Sequence, residues 1–134
     1  MGKLPERIVK MYTAAVLTDH SHNDLLNAFR ELIPATWKIY CHHMTINLGP
    51  ANDGPLFPQF NLGDQVELLA THYAYDDKVM AVKIETVVPS QNATKHITIA
   101  VNVASGKPFH SNQLKNWTPT SPIKLIAILE EVKN

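Results

Sequence analysis

Between Ile8 and Leu17 apolar and β-branched residues follow one another without Gly or Pro, a pattern that predicts a strand. The period then changes. Leu25, Leu26, Phe29 and Leu32 recur at helical spacing behind the polar starters Asp19 and Ser21, and Pro34 stops the run, so a helix is expected over Asp19 to Leu32. Trp37 to Leu48 is aromatic and β-branched and closes at Gly49-Pro50, which predicts a second strand. Gly49, Pro50, Gly54, Pro55, Pro58 and Gly63 then leave no room for regular structure and predict an extended loop over residues 49 to 64. Val66 to Tyr75 and Val79 to Thr86 flank Asp76-Asp77 as the arms of a hairpin. After a polar break from Pro89 to Lys95, His96 to Val103 is another β-branched run. Ser105 to Trp117 reads as a polar loop with room for one helical turn near Asn112 to Leu114, and Ile123 to Leu129 as a buried strand.

One or two helices among about six strands, many joined as hairpins, make an α+β domain with a mostly antiparallel sheet. The 134 residues, 45% of them hydrophobic, suffice for one core, so a single domain over 1–134 is expected, with a monomer favoured. Twelve basic residues balance twelve acidic ones. That neutrality argues against tight binding to long duplex DNA and favours a short anionic ligand met by a few local cations. The single cysteine, Cys41, can make no internal disulfide, and Met1 to Lys10 lacks the apolar run of a signal peptide, which together suggest a reducing, cytoplasmic setting. No apolar stretch approaches the length of a membrane helix, so no membrane attachment is expected.

The histidines change the picture from fold to chemistry. Two of the seven sit in one repeated frame, His43-Met44-Thr45-Ile46 and His96-Ile97-Thr98-Ile99. Side chains alternate on a strand, so each His shares a face with the Thr two positions on while the apolar residues between them face the core. Composition predicts about 0.1 such frames among the chain's histidines, so two copies point to one shared task. Cleaving a phosphodiester needs one group to take a proton from the attacking oxygen and another to give one to the leaving oxygen, and imidazole can do either near neutral pH. Each Thr hydroxyl, one pleat repeat away, can donate to a phosphate oxygen as charge builds there.

Tandem H-x-T-x motifs with apolar x, on two strands of a compact α+β domain, resemble the 2H phosphoesterase superfamily, which includes LigT-like proteins and cyclic phosphodiesterase domains of tRNA ligases. The resemblance implies a two-lobed domain in which each lobe brings one motif to a central groove. It further implies metal-independent chemistry at 2',3'-cyclic or 2',5'-linked phosphodiesters of RNA ends or small nucleotides. His43 and His96 would then be acid and base, with Thr45 and Thr98 as phosphate ligands. For ring opening of a 2',3'-cyclic phosphate the expected assignment is His96 as base and His43 as acid.

Further substrate contacts are expected from Lys95 and Lys107, which flank the second motif, from Ser105 and Ser111 in the loop after it, and from aromatic residues that could stack a base, Tyr12 first among them with Tyr40, Trp37, Phe57 and Tyr73. Strand alternation puts His42 on the face opposite His43, as a packing or orienting residue. No cofactor and no metal are expected. Cys41 and His43 share a face by the same alternation and could form a zinc site with His72 or His96, but neither C-x-x-C nor H-E-x-x-H occurs. Gly-rich phosphate loops are also missing from the sequence. The rival class of function is a module of the same fold that binds a nucleotide or RNA end without turning it over, and two titrating groups are more than such a module needs.

Overall fold

The computed structural model describes residues 11–133. Its strands are β1 (Met11–Leu17), β2 (Lys38–Ile39), β3 (His43–Leu48), β4 (Gln65–Tyr75), β5 (Val79–Glu85), β6 (His96–Val101) and β7 (Thr118–Lys133), with one α-helix, α1 (Asp19–Phe29). The expected first strand is present from Met11, and its portion at Ile8 to Lys10 lies outside the described residues. Every pairing is antiparallel, and the pairs run β6–β3–β1–β7–β4–β5 and back to β6. Six strands therefore close into a barrel without a free edge, and β2 lies along the second half of β6. The mostly antiparallel strands and few helices of the sequence reading are present, now as a ring.

Alternation fills the inside of that ring. Ala15 faces Met44 on one side and Leu129 on the other, and Met44 in turn faces Ile97, which faces Val82; all five are buried. Leu68 and Leu125, also paired and fully buried, fill the opposite wall. Helix α1 starts where Thr18 Oγ1 accepts the Ser21 amide at 3.2 Å, and the Ser21 hydroxyl accepts the Ile126 amide at 2.8 Å, tying the first turn to β7. Leu25 and Phe29 of α1 join the barrel core, each such burial contributing about 1.5–3 kcal/mol. The helix ends earlier than its periodicity predicts, because Arg30–Leu32 tightens into a 3-10 turn and leaves Leu32 exposed.

Three segments depart from their expected form. The strand expected over Trp37 to Leu48 is broken at Cys41, whose φ is 50°. The strand expected over Ile123 to Leu129 extends over all of Thr118–Lys133, although Pro119 and Pro122 lie inside it. The loop over residues 49 to 64 holds a 3-10 turn at Ala51–Asp53 and is anchored by the fully buried Leu56. The hairpin is as expected: Asp76 Oδ1 accepts the amides of Lys78 and Val79 and folds the turn. Among the described residues no helix is long and apolar enough to cross a membrane.

Candidate active site

Strands β3 and β6 meet at a single pair, Met44 opposite Ile97. Upstream the ladder is offset. Lys38 and Ile39 pair with Val101 and Ala100, and the amides of Tyr40 and Cys41 bond to the carbonyls of Ile99 and Thr98. Counting down both strands from there to Met44 leaves His42 and His43 without counterparts in β6, a two-residue bulge made possible by the left-handed turn at Cys41. The bulge is held from two sides: the His22 ring of α1 donates Nδ1–H to the Cys41 carbonyl at 2.8 Å, and the Leu17 amide bonds to the His42 carbonyl at 2.9 Å.

Over this seam lies a cavity of about 810 Å³ on the outer face of the barrel. His43, Thr45, His96 and Thr98 all line it, so both repeated frames open into one space. Tyr12 from β1 lines it too and lies against the His43 ring, with ring centres 4.7 Å apart. The far wall is the segment after β6, where Lys107, Pro108, Phe109 and Asn112 border the cavity on a 3-10 turn over Pro108–Gln113. The turn was expected nearer Asn112 to Leu114. The buried Ser111 of this turn bonds to Thr98 Oγ1 at 2.7 Å and fixes the wall to the second motif.

Of the remaining expected contacts Tyr40 also borders the cavity, while Trp37, Phe57, Tyr73, Lys95 and Ser105 do not. The Lys95 ammonium donates to the Thr86 carbonyl at 2.9 Å, and Ser105 is exposed and reaches the Asp77 carbonyl; neither lines the cavity. Cys41 is fully buried with its sulfur toward the Ile99 carbonyl, so it does not share a face with His43. Burial raises its thiol pKa to about 12. His42, by contrast, does line the cavity, and its Nδ1 is 2.8 Å from Nδ1 of His43. Both corrections have one cause: strict alternation ends at the bulge. Gln91, Asn92, Asn47 and Phe109 also border the cavity, and no motif in the sequence singles them out.

The two motif imidazoles are both biased toward the neutral form. Burial lowers the pKa of His43 to about 4, helped by the neighbouring His42 and then His96. Burial also lowers that of His96, opposed by its hydrogen bond to the Thr94 carbonyl. A carbonyl can only accept, so neutral His96 carries its proton on Nδ1, 2.8 Å from Thr94 O, and leaves Nε2 unprotonated. Such a pair can exchange protons with a group placed between the rings, the Thr hydroxyls can donate to it, and Lys107 supplies a positive charge at the rim.

A family model described as the fungal tRNA ligase phosphodiesterase domain matches residues 21–124, a span that contains both repeated frames. No curated protein and no solved structure matches the chain.

Proposed function

This chain belongs to the fungal tRNA ligase phosphodiesterase domain family, and from that premise we propose that it is a metal-independent phosphodiesterase acting on 2',3'-cyclic or 2',5'-linked phosphodiesters of RNA ends or small nucleotides. The observation that carries this reading is the convergence of His43, Thr45, His96 and Thr98 on one cavity. In this reading the two lobes implied by the 2H resemblance are the halves of the ring on either side of the seam, β3 with β1 and β7, and β6 with β5 and β4.

His96 is the base. With its Nδ1 proton held by Thr94, the neutral ring keeps its Nε2 lone pair free to take a proton from the attacking water. The water oxygen bonds to phosphorus, the bond from phosphorus to one ribose oxygen breaks, and the Nε2 proton of cationic His43 passes to that oxygen. A phosphomonoester and a free hydroxyl result. Thr45 and Thr98 donate to the phosphate oxygens that do not leave, where negative charge grows. Charging His43 opposes its burial, but an anionic phosphate alongside favours the cation and raises its pKa from about 4.

Incubation with 2',3'-cyclic mononucleotides, 2',5'- and 3',5'-linked oligoadenylates and cyclic dinucleotides in the presence of EDTA tests the proposal. The expected result is cleavage of a 2',3'-cyclic or 2',5'-linked member that is lost in His43→Ala and His96→Ala. Turnover that survives both substitutions overturns the two-histidine mechanism, and binding without turnover moves the reading to a non-catalytic nucleotide-binding module.

A further inference from the structure

Both working histidines have their Nδ1 atom engaged, but by different partners. For His96 the partner is a carbonyl, which is always an acceptor. For His43 it is another imidazole nitrogen, Nδ1 of His42, at 2.8 Å, and this atom either accepts or donates. The choice decides what His43 can do. If His42 donates, a neutral His43 holds its own proton on Nε2; it has no lone pair there to act as base, and as an acid it would leave an imidazolate. If His42 accepts, His43 keeps its proton on Nδ1, and Nε2 is free to carry and release the proton that matters. Acid or base, the chemistry requires His42 to accept.

We propose that His42 is a positioning residue whose Nδ1 accepts the Nδ1 proton of His43, so that Nε2 of His43 is the atom that exchanges the reacting proton. The proposal rests on the two-histidine reading of the cavity. With one proton between the two Nδ1 atoms the bond holds. With a proton on each, both are donors and the bond is lost.

Among the described residues His42 is the one hydrogen-bond partner of Nδ1 of His43. Asp19 and His22 of α1 border the hollow behind His42, and the His22 Nδ1 is already committed to the Cys41 carbonyl. Tyr12 lies against the His43 ring, and His96 and Lys107 border the same cavity. His42 sits where it does only because of the bulge, with Cys41 at φ 50° and the backbone held by His22 and Leu17.

Two variants separate the roles. In His42→Asn the side-chain oxygen takes roughly the place of Nδ1 and can accept; His42→Ala removes the acceptor. Nitrogen NMR of the imidazole rings should show His43 protonated at Nδ1 in the native protein and in His42→Asn, and mixed between its two nitrogens in His42→Ala. With the cyclic-phosphate substrate, His42→Ala should lose about 10- to 100-fold in kcat with little change in KM, the scale seen for partners that orient functional histidines. His42→Asn should recover most of that loss. A His43 tautomer indifferent to His42→Ala, or a kcat in His42→Asn no better than in His42→Ala, overturns the proposal. Absence of turnover in the native protein would count against the phosphodiesterase reading instead, and the tautomer measurement would still decide the role of His42.

Discussion

At the scale of single residues, the four motif side chains divide by what each loses when removed. A histidine that moves a proton in the transition state is worth roughly 10²–10⁴-fold, so His43→Ala and His96→Ala should each lower kcat by that much. A threonine that donates one hydrogen bond is worth less, about 10- to 1000-fold in Thr45→Ala or Thr98→Ala. The two threonines are not equivalent, because Ser111 bonds to Thr98 at 2.7 Å. Ser111→Ala should therefore lower kcat in the native background and add little on top of Thr98→Ala, a coupling that steady-state rates for the four proteins in the cycle can read. The same scale holds the clearest electrostatic test. His43 should titrate at about 4 by NMR in the free protein, and inorganic phosphate should move that midpoint upward, since an anion beside an imidazole favours its charged form. A midpoint that falls or stays fixed with saturating phosphate would put the anion somewhere other than beside His43.

At the scale of elements, what the sequence disclosed was what simple periodicity controls. The helix, the hairpin at Asp76-Asp77 and the shared outward face of each His and Thr all follow from spacings of 3.6 or 2. What stayed hidden were the interruptions. A left-handed Cys41 has no sequence signal comparable to glycine, so the bulge that brings His42 beside His43 could not be anticipated, and alternation placed His42 on the wrong face. In β7, Pro119 and Pro122 lie inside the strand, ahead of the apolar run that marked it in the sequence. They are tolerated because the register with β4 slips there, Ala70 facing Ile123 while His72 faces Pro119, so that Thr120, Ser121 and Pro122 span the width of Thr71 alone. The turn after β3 was expected at Gly49-Pro50, but the contacts that hold it were not. Asn47 donates its side-chain amide to the carbonyls of Leu48 and Pro50, and a β-carbon on Gly54 would collide with the Asn47 amide group. Gly54→Ala should cost about 1–3 kcal/mol in urea unfolding and lower activity too, because Asn47 borders the cavity and must move. An unchanged unfolding midpoint would show that the contact relaxes freely.

For the molecule as a whole, ring closure had no local signature, since it depends on β5 finding β6 and on β1 lying between β3 and β7, pairings that join distant parts of the chain. Closure also ties the active site to global stability: β3 and β6 are both members of the ring, so proton uptake by their histidines is paid for in folding free energy. His43 has a folded pKa near 4 against an ordinary value of 6.5, and that of His96 is lowered as well. Between those limits the unfolded chain binds more protons than the folded one, so protons favour unfolding. The stability that the neutral His43 ring confers is complete above about pH 6.5 and is lost as the pH falls toward 4, amounting to about 3 kcal/mol, and His96 acts in the same direction. Urea midpoints of the native protein should therefore drop between pH 7 and pH 5, and His43→Gln, which has no ring to charge, should drop less over the same interval. Phosphate should flatten the native slope by stabilising the charged imidazole in the folded state, and should do so less in His43→Gln. A native slope no steeper than that of His43→Gln would mean that the ring charges in the barrel as easily as in the unfolded chain, and that its burial is not what sets its chemistry.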